Sequence, residues 1–259
     1  MGKRVEFVAK DRIVYLTLDR PEKRNAIDDL AVEELTTFFK EADSDKSVRA
    51  VVFGGKGPAF SSGADLNYIL RLSQGSHPNN LDDSMALKNL LLSIYLSKKL
   101  VCAVVRGPAL ASAFGLVLSC DIIFASEKAK FGFNEVGVGF VPAVAMKIAL
   151  RKMTEPNARR LVLTGKIIDS EEALKIGLIS EVIDDNEIET YVDSFLEDFV
   201  RGTSQKAVEL TKEVLSQVKD LTLGDALKYG AMMNAKARSM EDFKKGIEAF
   251  LHKKHLEWE

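Results

Sequence analysis

Three stretches of this chain hold residue types that could stabilise negative charge and move a proton. The first, GKGPAFSSGADL (residues 55–66), ends a strand on glycines and leads through small residues to a helix opened by Asp65. Such a turn can leave the Ala64 N–H free and aimed outward, as helix N-termini do. The second, RGPALASAFGL (residues 106–116), repeats the layout of strand, small residues and helix start, with Ser112 at the helix entry. Two free N–H groups that converge on one point make an oxyanion hole, a preformed site for negative charge developing on a carbonyl oxygen. The third, KFGFNEVGVGFVPAV (residues 130–144), sets Glu135 among small and apolar residues. Burial there raises a carboxyl pKa and suits it to proton transfer.

Bulk properties narrow the alternatives. The chain has 259 residues, 46% hydrophobic and 29% charged, with a net charge of −2. That balance is ordinary for a globular protein and carries no basic field for nucleic acid. No apolar run reaches the ~20 residues of a membrane span, and the start lacks the apolar stretch of a signal peptide. His77, His252 and His255 are scattered, so no metal site is expected. Cys102 and Cys120 lie in apolar runs without CxxC spacing and read as buried reduced thiols of a cytoplasmic protein.

The elements that must position these groups follow from periodicity. VEFVAK and RIVYLTLD alternate and flank Asp11, which predicts a hairpin. IDDLAVEELTTFFKEADSD has helical period. VRAVVFGG and LVCAVVRG are continuous apolar runs, expected as buried strands. DIIFAS, KFGFNEV and LISEVI are expected as short strands, and residues 142–152 and 155–163 as helices. SEEALKIG predicts a short helix stopped by Gly177. The polar stretch SQGSHPNNLDDS is expected to be a mobile loop ahead of the helix MALKNLLLSIYLSKK. Four amphipathic helical patterns fill the chain after residue 186. The expected division is therefore a mixed α/β core over residues 1–190 and a helical region over 191–259.

Together these stretches resemble the enoyl-CoA hydratase/isomerase, or crotonase, family over nearly the whole chain. LDRPEKRNAID resembles the family's Arg-Pro…Asn-Ala segment, and AFSSGADL its first oxyanion loop. RGPALASAFGLVLSCDIIFAS resembles the second loop and its helix, and FGFNEVGVGFVP the segment carrying one catalytic glutamate. ARRLVLTGKIIDSEEALKIGLISEVI and SMEDFKKGIEAFLHKK complete the match.

The resemblance implies an α/β fold, a crotonase-like spiral of ββα units with a helical C-terminal part used for trimerisation. It implies an acyl-CoA substrate, no further cofactor, no nucleic-acid or membrane partner, and a homotrimer or hexamer. The oxyanion donors would be the N–H groups of Ala64 and Ser112, and the acid–base group Glu135. Lys23 and Arg24 are candidates for CoA phosphates, beside Ala26. Ser62, Asp65 and Leu66 flank the first donor, Asn134 is a candidate contact for water, and Phe140 a wall of the acyl pocket.

One departure changes the expected mechanism. Two-glutamate hydratases carry their other acid on the helix where this chain has Gly115. The expected reaction is hydration or dehydration across the 2,3 double bond by Glu135 alone. The alternatives are a single-glutamate enoyl-CoA isomerase and an acyl-CoA-binding subunit with little catalysis. The pattern around Gly115-Leu116, Cys120-Asp121 and Asn134-Glu135-Val136 is closest to the methylglutaconyl-CoA hydratase-like branch.

Overall fold

A computed structural model describes residues 3–258 of the chain. It opens with β1 (Val5–Lys10) and β2 (Ile13–Leu18), paired antiparallel. Asp11 and Arg12 join them, both at positive φ (49° and 69°). A two-residue turn of that hand matches the twist of the flanking strands. Helix α1 (Asp29–Ser44) follows, capped by the Asp28 carboxylate, which accepts from the Ala31 N–H. Then come β3 (Ala50–Gly55), α2 (Leu66–Ser73), α3 (His77–Tyr95), β4 (Leu100–Val105), β5 (Pro108–Leu110), α4 (Ser112–Ser119), β6 (Ile122–Ser126) and β7 (Lys130–Gly132). The remainder is α5 (Met146–Lys152), α6 (Glu155–Thr164), β8 (Ile168–Asp169), α7 (Ser170–Lys175), β9 (Val182–Ile183) and helices α8 (Ile188–Gly202), α9 (Gln205–Val218), α10 (Leu223–Arg238) and α11 (Glu241–Leu251).

Six strands form the main sheet in the order β1-β2-β3-β4-β6-β9, parallel from β2 onward. Its strands read as continuous apolar runs because both faces are covered. Side chains alternate between the two cores. Val51, Phe53, Val101, Ala103 and Val105 face the larger one, with α1, α3 and α4. Ala50, Val52, Leu100 and Cys102 face the other, where Ile188, Val192 and Leu196 of α8 close over them. A second, three-stranded sheet runs β5-β7-β8. The segments leading to Ser112 and Glu135 leave from it.

The structure corrects several local expectations. The polar stretch before residue 85 is helical: Ser76 caps α3 by accepting from the Asn79 N–H, and Pro78 sits in its first turn. Proline there gives up a hydrogen bond that the helix never makes. KFGFNEV is a strand only over Lys130–Gly132; residues 135–138 form a 3-10 turn ended by Gly139 at φ 74°. The helix expected from residue 142 starts at Met146, and LISEVI pairs only through Val182–Ile183.

The expected division at residue 190 falls inside α8, whose buried face belongs to the core beneath the main sheet. Burial thins out beyond it. Among the described residues α9 buries only Leu210, and α10 and α11 bury none.

Candidate active site

Three backbone segments run side by side and end together. Ser61 donates its N–H to Pro108 O (3.0 Å) and accepts from the Leu110 N–H (3.1 Å). Strand β5 pairs in parallel with β7, Leu110 against Gly132, and the Ala111 N–H continues to Gly132 O at 2.9 Å. The chain beyond each segment therefore emerges at the same edge, carrying Ala64, Ser112 and Glu135.

The first donor is set by a parallel bridge. Gly63 O accepts from the Ile27 N–H (2.9 Å), and Asp65 donates to Ile27 O (2.8 Å). A residue straddled in this way turns its own N–H away from the partner strand. The Ala64 N–H accordingly has no acceptor among the described residues. The second donor, the Ser112 N–H, is the first of α4 and is likewise unused.

What brings them together is the contact between the residues just before them. Gly63 lies at φ 93°, and a Cβ there would sit 2.8 Å from Ala111 Cβ and 2.9 Å from Leu110 O. Only glycine allows that approach. Ala111 in turn holds φ 52°, ψ −128°, a conformation sparsely open to a residue with a Cβ. The turn is thus strained at the point where it delivers the donor, a place where strain is often stored.

Glu135 opens the 3-10 turn and is 9% exposed. Burial pushes its carboxyl above the ordinary range, opposed only by its own backbone N–H. Its Oε2 has no hydrogen-bond partner among the described residues. The Ser112 hydroxyl is the other buried side-chain oxygen without one among the described residues. Leaving a buried polar group unpaired costs ~1–3 kcal/mol. Both costs fall at one edge of one small sheet, which marks a place built to receive a polar ligand.

Gly115 sits one turn into α4 and faces α5. A Cβ at this glycine would lie 2.8 Å from Ala145 Cβ. The position carries no acid, and the space for one is occupied by Ala145.

The remaining sequence-derived candidates fall into two groups. Asp65 is engaged in the scaffold. Its Oδ1 caps α2, accepting from Asn67 and Tyr68 N–H, and its Oδ2 pairs with Arg20 (3.4 Å) and Lys23 (3.7 Å). Ser62 donates its N–H to Arg24 O, and Ala26 accepts from Arg20 Nη1. Lys23, Arg24, Leu66 and Phe140 are exposed around the site; Asn134 is half-buried and opens the turn that presents Glu135.

Sequence reasoning missed the supports. Arg20 is buried and bridges Asp28 (2.8 Å) to Asp65, tying the α1 and α2 caps together. Asn25, at φ 54°, accepts from the Arg20 N–H and donates to Lys56 O and Ala59 O. The Arg-Pro…Asn-Ala pattern signalled that segment without revealing its architectural role. The Ser112 hydroxyl and Ala145 carried no sequence signal, since both matter only through what lies opposite them.

A groove of about 1170 Å³ between α1, α2 and α3 lies apart from this edge. Asp29, Glu33, Asp43, Asp82 and Asp83 line it against two lysines, Lys40 and Lys98, a net charge unfavourable for phosphates. Among the described residues no cluster of histidine, cysteine and carboxylate side chains could hold a metal ion, and no helix is long and apolar enough to cross a membrane.

Two unused N–H donors beside one buried carboxyl can polarise a thioester carbonyl and move a proton at a nearby carbon. That is the equipment of an enzyme that works through enolates. The chain belongs to the enoyl-CoA hydratase/isomerase family, whose sequence model matches residues 9–259. It is 29% identical over 246 residues to the 2,3-dehydroadipyl-CoA hydratase of Escherichia coli, covering 95% of this chain and 94% of the relative. It is 28% identical over 250 residues to the short-chain-enoyl-CoA hydratase of Clostridium acetobutylicum, covering 95% of this chain and 94% of the relative. The crystal structure of an enoyl-CoA hydratase from Shewanella pealeana superposes with a TM-score of 0.93 at 26% identity, covering 98% of this chain and 96% of that one.

Proposed function

We propose that this chain is a hydratase-type lyase that adds or removes water across the 2,3 double bond of an acyl-CoA thioester, with Glu135 as its single acid–base group. The observation that carries the reading is the buried, unpartnered Glu135 Oε2 at the edge where the Ala64 and Ser112 N–H groups are left unused. The two N–H groups hold the thioester oxygen, and their hold strengthens as that oxygen becomes an enolate. Glu135 takes the proton of the attacking water and returns a proton to C2. A carboxyl held above its ordinary range suits both transfers, because it is a stronger base when ionised and still a usable acid afterwards.

The rest of the assignment follows the same site. The substrate is an acyl-CoA, and no cofactor is needed beyond it. Lys23 and Arg24 are exposed and carry charge suited to CoA phosphates. Leu66 and Phe140, both exposed, flank the donors and Glu135 with apolar surface for the acyl chain. Within residues 191–259, the part beyond α8 serves oligomerisation, as a homotrimer or a hexamer of two trimers. Exposed Leu223, Leu227, Met232, Phe250 and Leu251 on α10 and α11 support that reading. A cytoplasmic setting suits two buried free thiols whose ionisation burial suppresses.

The test is hydration of crotonyl-CoA by the parent and by Glu135→Gln. A loss of ~10²–10⁴-fold is expected from removing a placed proton-transfer group. Equal rates refute the role. One observation favours a second reading, an enoyl-CoA isomerase. The Gly115 position offers no second acid, and a 1,3-proton shift needs only one carboxylate. Conversion of 3-enoyl-CoA to 2-enoyl-CoA without any 3-hydroxyacyl product would select it.

A further inference from the structure

We propose that the Ser112 side chain is a further catalytic group: its hydroxyl holds the water that Glu135 activates. This rests on the hydratase reading above and deepens it. Ser112 is assigned by its backbone N–H alone, and any residue other than proline supplies an N–H. The hydroxyl is a separate feature with its own cost.

Three observations converge on it. First, Ser112 Oγ and Glu135 Oε2 are the buried side-chain oxygens that lack a partner among the described residues. Elsewhere the serines and threonines of the interior are paired: Ser119 with Gly115 O, Ser126 with Arg106 O, Ser97 with Asp43. A serine at the first position of a helix can usually find a backbone partner; this one has none. Second, the two oxygens share an origin. β5 and β7 pair in parallel at Leu110 and Gly132, so Ser112 lies two residues beyond the pair and Glu135 three beyond it. Third, the usual way of holding a second side of the water, another carboxylate one turn along α4, is blocked. Ala145 occupies the space at Gly115.

The chemistry is balanced with one carboxylate and one hydroxyl. The water donates one hydrogen to Glu135 Oε2 and the other to Ser112 Oγ. Its oxygen bonds to C3 of the enoyl thioester. The C2–C3 π pair shifts, giving an enolate whose oxygen lies between the Ala64 and Ser112 N–H groups. The first proton passes to Glu135, which then returns it to C2 as the enolate collapses to the thioester. The second hydrogen stays on the new 3-hydroxyl, still donated to Ser112 Oγ. The product therefore keeps the contact that positioned the water, so the role can be read at equilibrium.

The experiment compares binding of 3-hydroxybutyryl-CoA and butyryl-CoA by calorimetry to the parent, Ser112→Ala and Ser112→Gly, with hydration of crotonyl-CoA in parallel. Both substitutions retain the N–H donor. The expected result is a loss of the preference for the 3-hydroxy ligand by ~3–10-fold in both variants, the worth of one buried hydrogen bond. Butyryl-CoA affinity should stay within twofold, and kcat for hydration should fall ~10-fold or more. An unchanged ligand preference and an unchanged kcat overturn the proposal and leave the Glu135 reading standing. A parent that hydrates no enoyl-CoA overturns the hydratase reading and this proposal with it. A purely structural serine would weaken both ligands together, which also refutes the role.

Discussion

Substitutions at Gly115 should show whether packing excludes a second acid. A Cβ at residue 115 would sit 2.8 Å from Ala145 Cβ, and Leu91 Cδ2 at 3.8 Å is ordinary contact. Comfortable carbon–carbon separations are ~3.5–4.0 Å, so one contact is short by about an ångström. Ala145 cannot swing aside, because its Cβ is fixed to backbone at the start of α5 and its carbonyl accepts from the Ala149 N–H at 3.0 Å. Helix α5 would have to move off α4. Overpacking of this kind costs ~1–3 kcal/mol. Against it stands the gain of ~1 kcal/mol when alanine replaces glycine inside a helix.

The net expectation for Gly115→Ala is therefore a destabilisation of ~0–2 kcal/mol. In an Ala145→Gly background the clash is gone and the same substitution should stabilise by ~1 kcal/mol. The coupling between the sites should be ~1–3 kcal/mol. Urea denaturation of the four proteins measures it from midpoints at constant slope. Coupling below ~0.5 kcal/mol, the limit for independent sites, would refute the argument. Gly115→Glu should then fold well only in the Ala145→Gly background.

Three further outcomes are expected. Burial holds the Glu135 carboxyl above its ordinary range, so between the unfolded and folded values the folded chain keeps a proton that the unfolded chain has released. The associated stability is greatest below the unfolded value of ~4.3 and is lost as pH rises through the folded one. Glu135→Gln should therefore melt above the parent at pH ~7.5 and converge with it near pH ~4; a gap that widens in acid contradicts this. Arg20→Ala leaves Asp28 with Arg4 and the Ala31 N–H and Asp65 with Lys23 and its α2 cap, and should cost ~1–3 kcal/mol by chemical denaturation; a loss under ~1 kcal/mol would place the network at the level of a surface pair. Ala111→Gly relieves a φ of 52° and ψ of −128°. Relief of ~1–3 kcal/mol less ~0.4–1 kcal/mol of unfolded-chain entropy leaves ~0–2.6 kcal/mol and, at ~2 °C per kcal/mol for a chain of this size, should raise Tm by up to ~5 °C, and a fall in Tm would show that the methyl group packs better than it strains.

Legibility in the sequence followed the range of the forces. The hairpin at Asp11 and the buried strands at residues 50–55 and 100–105 were readable because turn chemistry and apolar runs are local. The polar start of α3 was not. Its cap and proline outweigh its poor amphipathic pattern, and the capping serine reads equally as loop. The three candidate segments were visible as small residues beside strands, and their convergence was expected from the resemblance. The contact that brings two of them together was not, because it depends on Gly63 meeting Ala111 across 48 residues. Gly115 looked like an omission and is a packed contact. The Arg20 network was hidden for the same reason, since two caps and the Ala26 carbonyl share one guanidinium only in three dimensions.

The bridge that turns the Ala64 N–H outward has a consequence for inheritance. A donor made of main chain is copied whatever codon occupies the position, so only proline removes it. The donors are thus indifferent to the side chains they carry, while their approach depends on Gly63, which a single substitution can remove as readily as Glu135. On the proposed reading, lineages that keep this glycine can exchange the side chains at residues 64 and 112 and keep the anion site. New reactions then begin from a working anion site and need only the relocation of one proton-carrying group.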